Sequence, residues 1–386
     1  MALLHAARLA GKQLLHNRVR LLVAIAGIAF AVLLVFMQTG FRMAIFRSAI
    51  LYWEQLDADL VIIDRHYASV TNTGTFSRRQ LARCLTVSGV ASVHPMYVTR
   101  AKWKNPENGI TAGIAVIGVD PTRPGLAIPE IWQNRHLLHR ADAIFFDTMS
   151  LPRYGPVAKR FRDNGSVPAI LADRAGLVVG LYTHGKPFDV DGTAVVSLEG
   201  FLRLFPERQS GLITLGLVHL HPDADPSIVQ QALKQIFRDD LQVHTKHEFV
   251  QFEYDYTDKN NPIGFVFNLG TIMGLIVGIV IVYQVLFTDV SEHFAEYATL
   301  KAMGYSNAFL FSVVGMESIV LAVVGFIPGF LASWGLYRLT ADATSLPMYM
   351  TLPHIAQVLV FTLGMCGLSG AVALYKVAQA DPADVF

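Results

Sequence analysis

The sequence predicts a membrane α-helical protein: four transmembrane helices, with a large extracytoplasmic α/β domain inserted between helices 1 and 2. Three observations carry this. Only 16% of the 386 residues are charged, against about 25% in a typical soluble domain, and the mean hydropathy is +0.41. Four stretches are each long and apolar enough to cross a hydrocarbon core that takes about 20 helical residues. Between the first two of them lie about 220 residues of ordinary polar composition, 42–261.

The first stretch, Leu21 to Phe41, and the second, Pro262 to Phe287, hold no charge. The third, Ala308 to Tyr337, holds one acid, Glu317; the fourth, Leu352 to Tyr375, is uncharged. The first follows a basic segment, as a secretory signal would. It exceeds a signal core of about 7–15 residues, and no small-x-small cleavage site follows, so it reads as an uncleaved span. The expected organisation is an amphipathic N-terminal helix (1–20), a first span (21–45), the α/β domain (46–260), a second span (261–287), a coupling loop or helix (288–307), a third span (308–338), a short outer loop (339–352), a fourth span (353–375) and a tail (376–386).

Orientation follows from Lys and Arg in short loops. Residues 1–20 hold Arg8, Lys12, Arg18 and Arg20 and no acid, which places the N-terminus in the cytoplasm. Thr340 to Pro353 has no Lys or Arg and suits the outside; Thr288 to Asn307 contains Lys301 and suits the inside. Both termini are then cytoplasmic, in an inner-membrane protein whose inserted domain faces outward. Arg8, Lys12, His16 and Arg20 recur at helical spacing beside leucines, the pattern of a helix lying on the inner leaflet in contact with lipid.

In the inserted domain, Ala58–Asp64 and Thr111–Val119 read as strands, and Thr193–Leu198, Leu212–Leu220 and Leu241–Val243 as further strands. Ser77 caps a short helix to Leu85; Asp225 and Pro226 cap and open another. From Lys246 the pattern is helical. Strands alternating with helices indicate an α/β domain.

The sequence offers little for catalysis. A P-loop needs a Ser or Thr after its Lys to reach Mg²⁺. Gly180 to Lys186 approaches that pattern until Pro187 takes the hydroxyl position, so the segment reads as a turn between strands. His219 and His221 form an H-x-H pair without a ligand cluster around it, so no metal site is expected. No G-x-S-x-G elbow occurs. No catalytic residue, cofactor-binding residue or cofactor is assigned to this chain. A net charge of +1 gives no basis for a nucleic-acid partner. Cys84 and Cys366 cannot make a disulfide framework. Glu317 lies about 14 Å into its helix by the helical rise. A mid-membrane acid costs about 2.5–3.5 kcal/mol on insertion scales. It therefore reads either as a coupling or packing group near the cytoplasmic side, or as an acid solvated or protonated between helices.

Asn17-Arg18-Val19-Arg20 running into Gly27-Ile28 resembles the start of the first span in FtsX/MacB-like permeases. Glu296 to Tyr305 is similar to that family's segment after the second span, and Met316-Glu317-Ser318 with Gly325 and Gly329 to its third span. Thr75 to Leu81, Trp103 to Glu107, Gly118 to Pro121, Asn261 to Phe265, Val282-Tyr283-Gln284 and Asp289 to His293 narrow the resemblance to the DevC type.

The resemblance implies a non-catalytic, homodimeric permease of a tripartite ABC exporter. A separate cytoplasmic ABC ATPase dimer, carrying ATP and Mg²⁺, would drive it. The outward domain would engage a periplasmic membrane-fusion adaptor leading to a TolC-like outer-membrane channel. The namesake system implies a glycolipid or another lipophilic or peptide substrate. Tyr297, Leu300 and Met303 share a helical face that would seat in a groove on the ATPase, with Glu292, Glu296 and Lys301 as its polar rim. Rival readings are a lipoprotein-extracting permease, an FtsX-like regulator of a cell-envelope hydrolase, and a membrane enzyme acting through the outward domain.

Overall fold

The computed structural model describes residues 18–70, 73–185, 191–238, 240–260, 262–293, 299, 303, 307–344 and 346–378. The chain divides into two compact units, Met1–Ala44 with Pro262–Phe386, and Ile45–Asn261. The expected basic helix over residues 1–17 lies outside the described residues.

The first helix, α1 (Arg18–Glu54), carries the first apolar stretch, and its last ten residues belong to the second unit. In that unit β1 (Leu60–Asp64) is buried on both faces. Successive side chains of a strand alternate, so Leu60 and Ile62 enter one core and Val61 and Ile63 the other. β2 (Phe76–Ser77) leads into α2 (Arg78–Ala82). There Ser77 makes a reciprocal capping box with Gln80, which satisfies two orphan donors of the first turn.

β3 (Val90–Lys104) is the long strand of the domain. β4 (Thr111–Val119), α3 (Pro129–Gln133), β5 (Ala143–Asp147), α4 (Val157–Asn164), β6 (Val167–Leu171), β7 (Arg174–Tyr182), β8 (Thr193–Ser197) and α5 (Leu198–Leu204) follow. The sequence expectation of one strand over Leu212–Leu220 resolves into two, β9 (Leu212–Ile213) and β10 (Leu215–Leu220). β9 pairs β2 in a separate small sheet. The break falls at Thr214, whose hydroxyl accepts from the Val98 N–H at 3.3 Å. α6 (Pro226–Phe237) is capped by Asp225, which accepts from the Ser227 N–H at 2.8 Å. β11 (Leu241–Thr245) and α7 (Lys246–Asn260) complete the unit.

Nine strands order as β11-β1-β10-β3-β4-β8-β5-β7-β6, and β6 also pairs the far end of β3 through Trp103↔Leu171 and Lys104↔Ile170. β3, β4, β8, β5, β7 and β6 thereby close a ring, which removes one pair of sheet edges. The first half of β3 pairs β10 and its second half pairs β4, so one strand serves both the ring and the sheet that extends from it. The ring interior is filled by Trp103, Ile114, Phe146, Tyr154 and Val196 among others, all buried. The indole N–H of Trp103 donates to the Tyr154 carbonyl at 3.1 Å, satisfying its one polar atom.

His219 on β10 is buried and donates from Nε2 to the Asp57 carbonyl at 2.5 Å. A carbonyl only accepts, so this bond fixes the Nε2–H tautomer. It leaves Nδ1 buried without a partner among the described residues. The His94 ring packs edge-on at 5.4 Å. Burial first, and then the Arg123 guanidinium, push the His219 pKa below its ordinary value. A histidine whose folded pKa is depressed stabilises the fold above its unfolded pKa of about 6.5, and that stability is lost as pH falls below this value. The unfolding midpoint of the chain should therefore drop between about pH 7 and 5. His219→Gln, which keeps a donor for Asp57 but does not titrate, should flatten the profile. Part of the slope should remain, because burial depresses His244 as well. Superimposable profiles for the two proteins would refute the assignment.

The other unit adds α8 (Pro262–Glu292), α9 (Asn307–Thr344) and α10 (Leu352–Ala378) to the first part of α1. All four helices are long and apolar enough to cross a membrane.

Candidate functional site

Small residues let the membrane helices approach closely. Gly270, Gly274 and Gly278 recur every fourth residue along one face of α8. A Cβ on Gly278 would come within 2.9 Å of Ala31, and one on Gly270 within 2.5 Å of the Gln38 amide, both on α1. Gly325 and Gly329 do the same on α9. A Cβ there would lie 2.6 Å from Ile28 and 2.8 Å from the Ala29 carbonyl oxygen. α1 is thus seated against glycine faces of two helices.

Polar side chains tie the bundle further. Ser369 of α10 donates to the Ile279 carbonyl of α8 at 2.9 Å. The Thr39 hydroxyl donates to Val35 O at 2.6 Å, so its oxygen accepts from His354 Nε2 at 2.7 Å. Such bonds inside a bilayer satisfy groups that water cannot reach.

The single acid of the third span sits in this bundle. Glu317 is 0% exposed, and neither carboxyl oxygen has a hydrogen-bond partner among the described residues. Asp289 on α8, itself buried, is the neighbouring charge that acts on it. Ser318 beside it donates to Val314 O and fills the space that a Cβ on Gly370 would need. α8, α9 and α10 therefore meet at this acid. A buried carboxyl without donors is costly, so the position carries a polar group that packing alone does not require. The sequence singled out Glu317 as the only charge in its span. It did not single out Asp289, whose nearness depends on how α8 and α9 pack.

Three residues beyond Asp289, Glu292 is exposed at the end of α8. The His293 Nδ1 donates to the Asp289 carbonyl at 3.0 Å, an oxygen that also accepts the His293 backbone N–H at 3.1 Å. Of the expected coupling set, Met303 is described and 64% exposed. Its N–H bonds the Thr299 carbonyl at 3.0 Å, a helical i→i−4 bond. Glu296, Tyr297, Leu300 and Lys301 lie outside the described residues, as do Lys186 and Pro187 of the P-loop-like segment. Among the described residues no group of three or more His, Cys, Asp or Glu side chains is placed to hold a metal ion.

Comparison with known proteins adds a family. Residues 268–382 match the FtsX-like permease C-terminal family. Over 103 residues the chain is 26% identical to an uncharacterised ABC transporter permease, YvrN, of Bacillus subtilis (strain 168). The match covers 27% of this chain and 25% of that protein. The periplasmic region of MacB from Actinobacillus actinomycetemcomitans superposes with a TM-score of 0.34 at 11% identity, over 51% of this chain and 94% of that one. The extracellular domain of the noncanonic ABC-type transporter YknZ, from Gram-positive bacteria, gives 0.32 at 12% identity, over 48% and 99%. Scores of this size leave the inserted domain to be argued from its own residues. The matched segment spans most of α8 and all of α9 and α10, the helices that carry Asp289 and Glu317, and over it the chain is similar to FtsX-like permeases.

Proposed function

We propose that this chain is the permease subunit of an ABC exporter, which passes the conformational change of a separate cytoplasmic ATPase to an outward-facing domain. The observation that carries the reading is the FtsX-like permease segment at residues 268–382, joined to an inserted α/β domain of more than two hundred residues. ATP hydrolysis is assigned to the partner chain, because the one P-loop-like segment has Pro187 where the Mg²⁺-binding hydroxyl belongs. The ATPase is proposed to dock on the segment after α8, with Tyr297, Leu300 and Met303 as apolar anchors and Glu292, Glu296 and Lys301 around them. The outward domain is proposed to engage a membrane-fusion adaptor, and through it an outer-membrane channel. A lipophilic substrate such as a glycolipid fits this arrangement.

The chain is proposed to act as a homodimer. α8 has the smallest buried share of the four spans, 17% against 33% to 44%. A groove of about 490 Å³ between α1 and α8 is lined by Gln284 and Thr288 as well as by Val23, Gly27, Ile281 and Val285. Polar side chains on a lipid-facing surface find their partners on another helix, and a second copy supplies one.

Cysteine labelling in a background lacking Cys84 and Cys366 tests the arrangement. A cysteine replacing the exposed Asn164 should react with an impermeant maleimide from outside only, and one replacing Met303 from inside only. The reverse pattern would overturn the proposal.

A further inference from the structure

The inserted domain joins the membrane helices through two segments only, the last turns of α1 and the whole of α7. Within the domain these two segments lie side by side. Phe46 meets Tyr254 at a ring distance of 5.7 Å, and Trp53 meets Phe249 at 5.9 Å. Each is also fastened to the β-structure by a tyrosine hydroxyl bonded to a buried carboxylate.

The first fastening is at the ends of the parallel strands β5 and β7, where Asp147 and Tyr182 are register partners. Asp147 is 0% exposed. Its Oδ2 accepts from the Tyr52 hydroxyl of α1 at 2.6 Å and from the Gly185 N–H at 3.0 Å. Its Oδ1 accepts from the Met149 N–H at 2.9 Å and the His184 N–H at 3.3 Å. The Tyr182 hydroxyl donates in turn to the Tyr52 oxygen at 3.2 Å. His184 donates from Nε2 to the Leu51 carbonyl at 3.1 Å, one of the acceptors a helix leaves unpaired in its last turn. Burial raises the Asp147 pKa above the usual carboxylate value, and the four donors oppose it. Four donors on one buried acid is a fully satisfied network, the kind that rigidifies its surroundings.

The second fastening reverses the roles. Glu253 is on the segment, α7, and is buried; Tyr67, just after β1, is on the domain side. The Tyr67 hydroxyl donates to Glu253 Oε1 at 2.5 Å, and the Val70 N–H reaches Oε2 at 3.4 Å. Apolar packing alone resists separation of two elements but resists sliding weakly, because it has no direction. A short charge-assisted hydrogen bond is directional. Two of them, one on each segment, fix the axial position of both.

We propose that Tyr52–Asp147 and Tyr67–Glu253 are a pair of clamps that make α1 and α7 carry the inserted domain without slipping when the membrane helices move; their four residues are positioning residues for transmission. This rests on the transmitter reading above.

Tyr52→Phe, Tyr67→Phe and the double variant each remove a hydroxyl and keep the ring, so folding should survive. The full chain is reconstituted with its cognate ATPase and spin-labelled at Asn164→Cys and Leu339→Cys. The label distance is read with and without ATP and vanadate. In the double variant the ATPase rate should stay within about twofold of wild type, while the nucleotide-driven distance change falls by at least half. A full distance change in the double variant would overturn the clamps. If the wild-type chain itself shows no nucleotide-driven change, the transmitter reading fails instead. Hydrogen exchange of the chain alone then decides the clamps. Exchange in residues 45–54 and 246–260 should rise in the double variant while strands β3 and β5 stay protected, and unchanged exchange would overturn them.

Discussion

Gly329→Leu should disrupt the membrane unit. A Cβ at that position meets the Ala29 backbone oxygen and the Val32 side chain at 2.8 Å. Neither can yield without moving α1, because one contact is backbone and the other is a stiff β-branched side chain. Forcing extra carbons into a packed interface costs about 1–3 kcal/mol. Adding Gly325→Leu, one turn away and 2.6 Å from Ile28, extends the clash along the same seam. The double variant should lose most of its monodisperse protein in detergent and become sensitive to protease. Gly335→Leu is the control: it lies on the same helix, and a Cβ there has nothing within 4 Å. Equal behaviour of Gly335→Leu and the double variant would show that α1 is not seated on these glycines.

Leu300→Ala should weaken binding of the ATPase about fivefold to thirtyfold. Truncating an apolar anchor in a docking groove costs about 1–2 kcal/mol, and about 1.4 kcal/mol is a decade of affinity. Met303→Glu places a charge at an exposed apolar position of the same segment and should do at least as much. Both changes lie outside the four candidate spans, and Ala keeps helix propensity, so membrane insertion should be normal. Co-purification of the ATPase with each variant, set against the amount of chain in the membrane, gives the answer. Asn164→Ala in the inserted domain should leave the association unchanged. Full binding by both variants would move the docking role away from this segment.

The parts of the fold that are legible in the sequence are those fixed by local composition. The four spans stand out because no short-range pattern other than a bilayer requires twenty apolar residues in a row. Thr111–Val119 is uncharged and rich in β-branched residues, and the strand β4 has those ends. The cap residues Ser77 and Asp225 mark helix starts because their side chains bond the backbone just beyond them. β3 is different. It contains Pro95, His94, Arg100 and three lysine or tryptophan positions near its end, so it lacks clean alternation, and it exists because two different partners pair with its two halves. β5 is five buried residues with no period to read. The site shows the same division. Glu317 is visible as one acid in an apolar run, whereas its neighbour Asp289 and the bond between Tyr52 and Asp147, 95 residues apart, are products of tertiary packing that no local pattern encodes.

The side-by-side ends of the inserted domain make it a cassette. Phe46 and Tyr254, close to its first and last residues, touch each other, so whatever fills the interval needs only to begin and end at one place. Domains whose ends lie together can be inserted into a host or removed from it with little strain. A chain built this way can exchange its inserted domain for another by recombination between residues 46 and 260 and leave every helix of the membrane unit in its own register. Diversification of what the inserted domain engages then proceeds by grafting, with no matching change required in the helices that carry it.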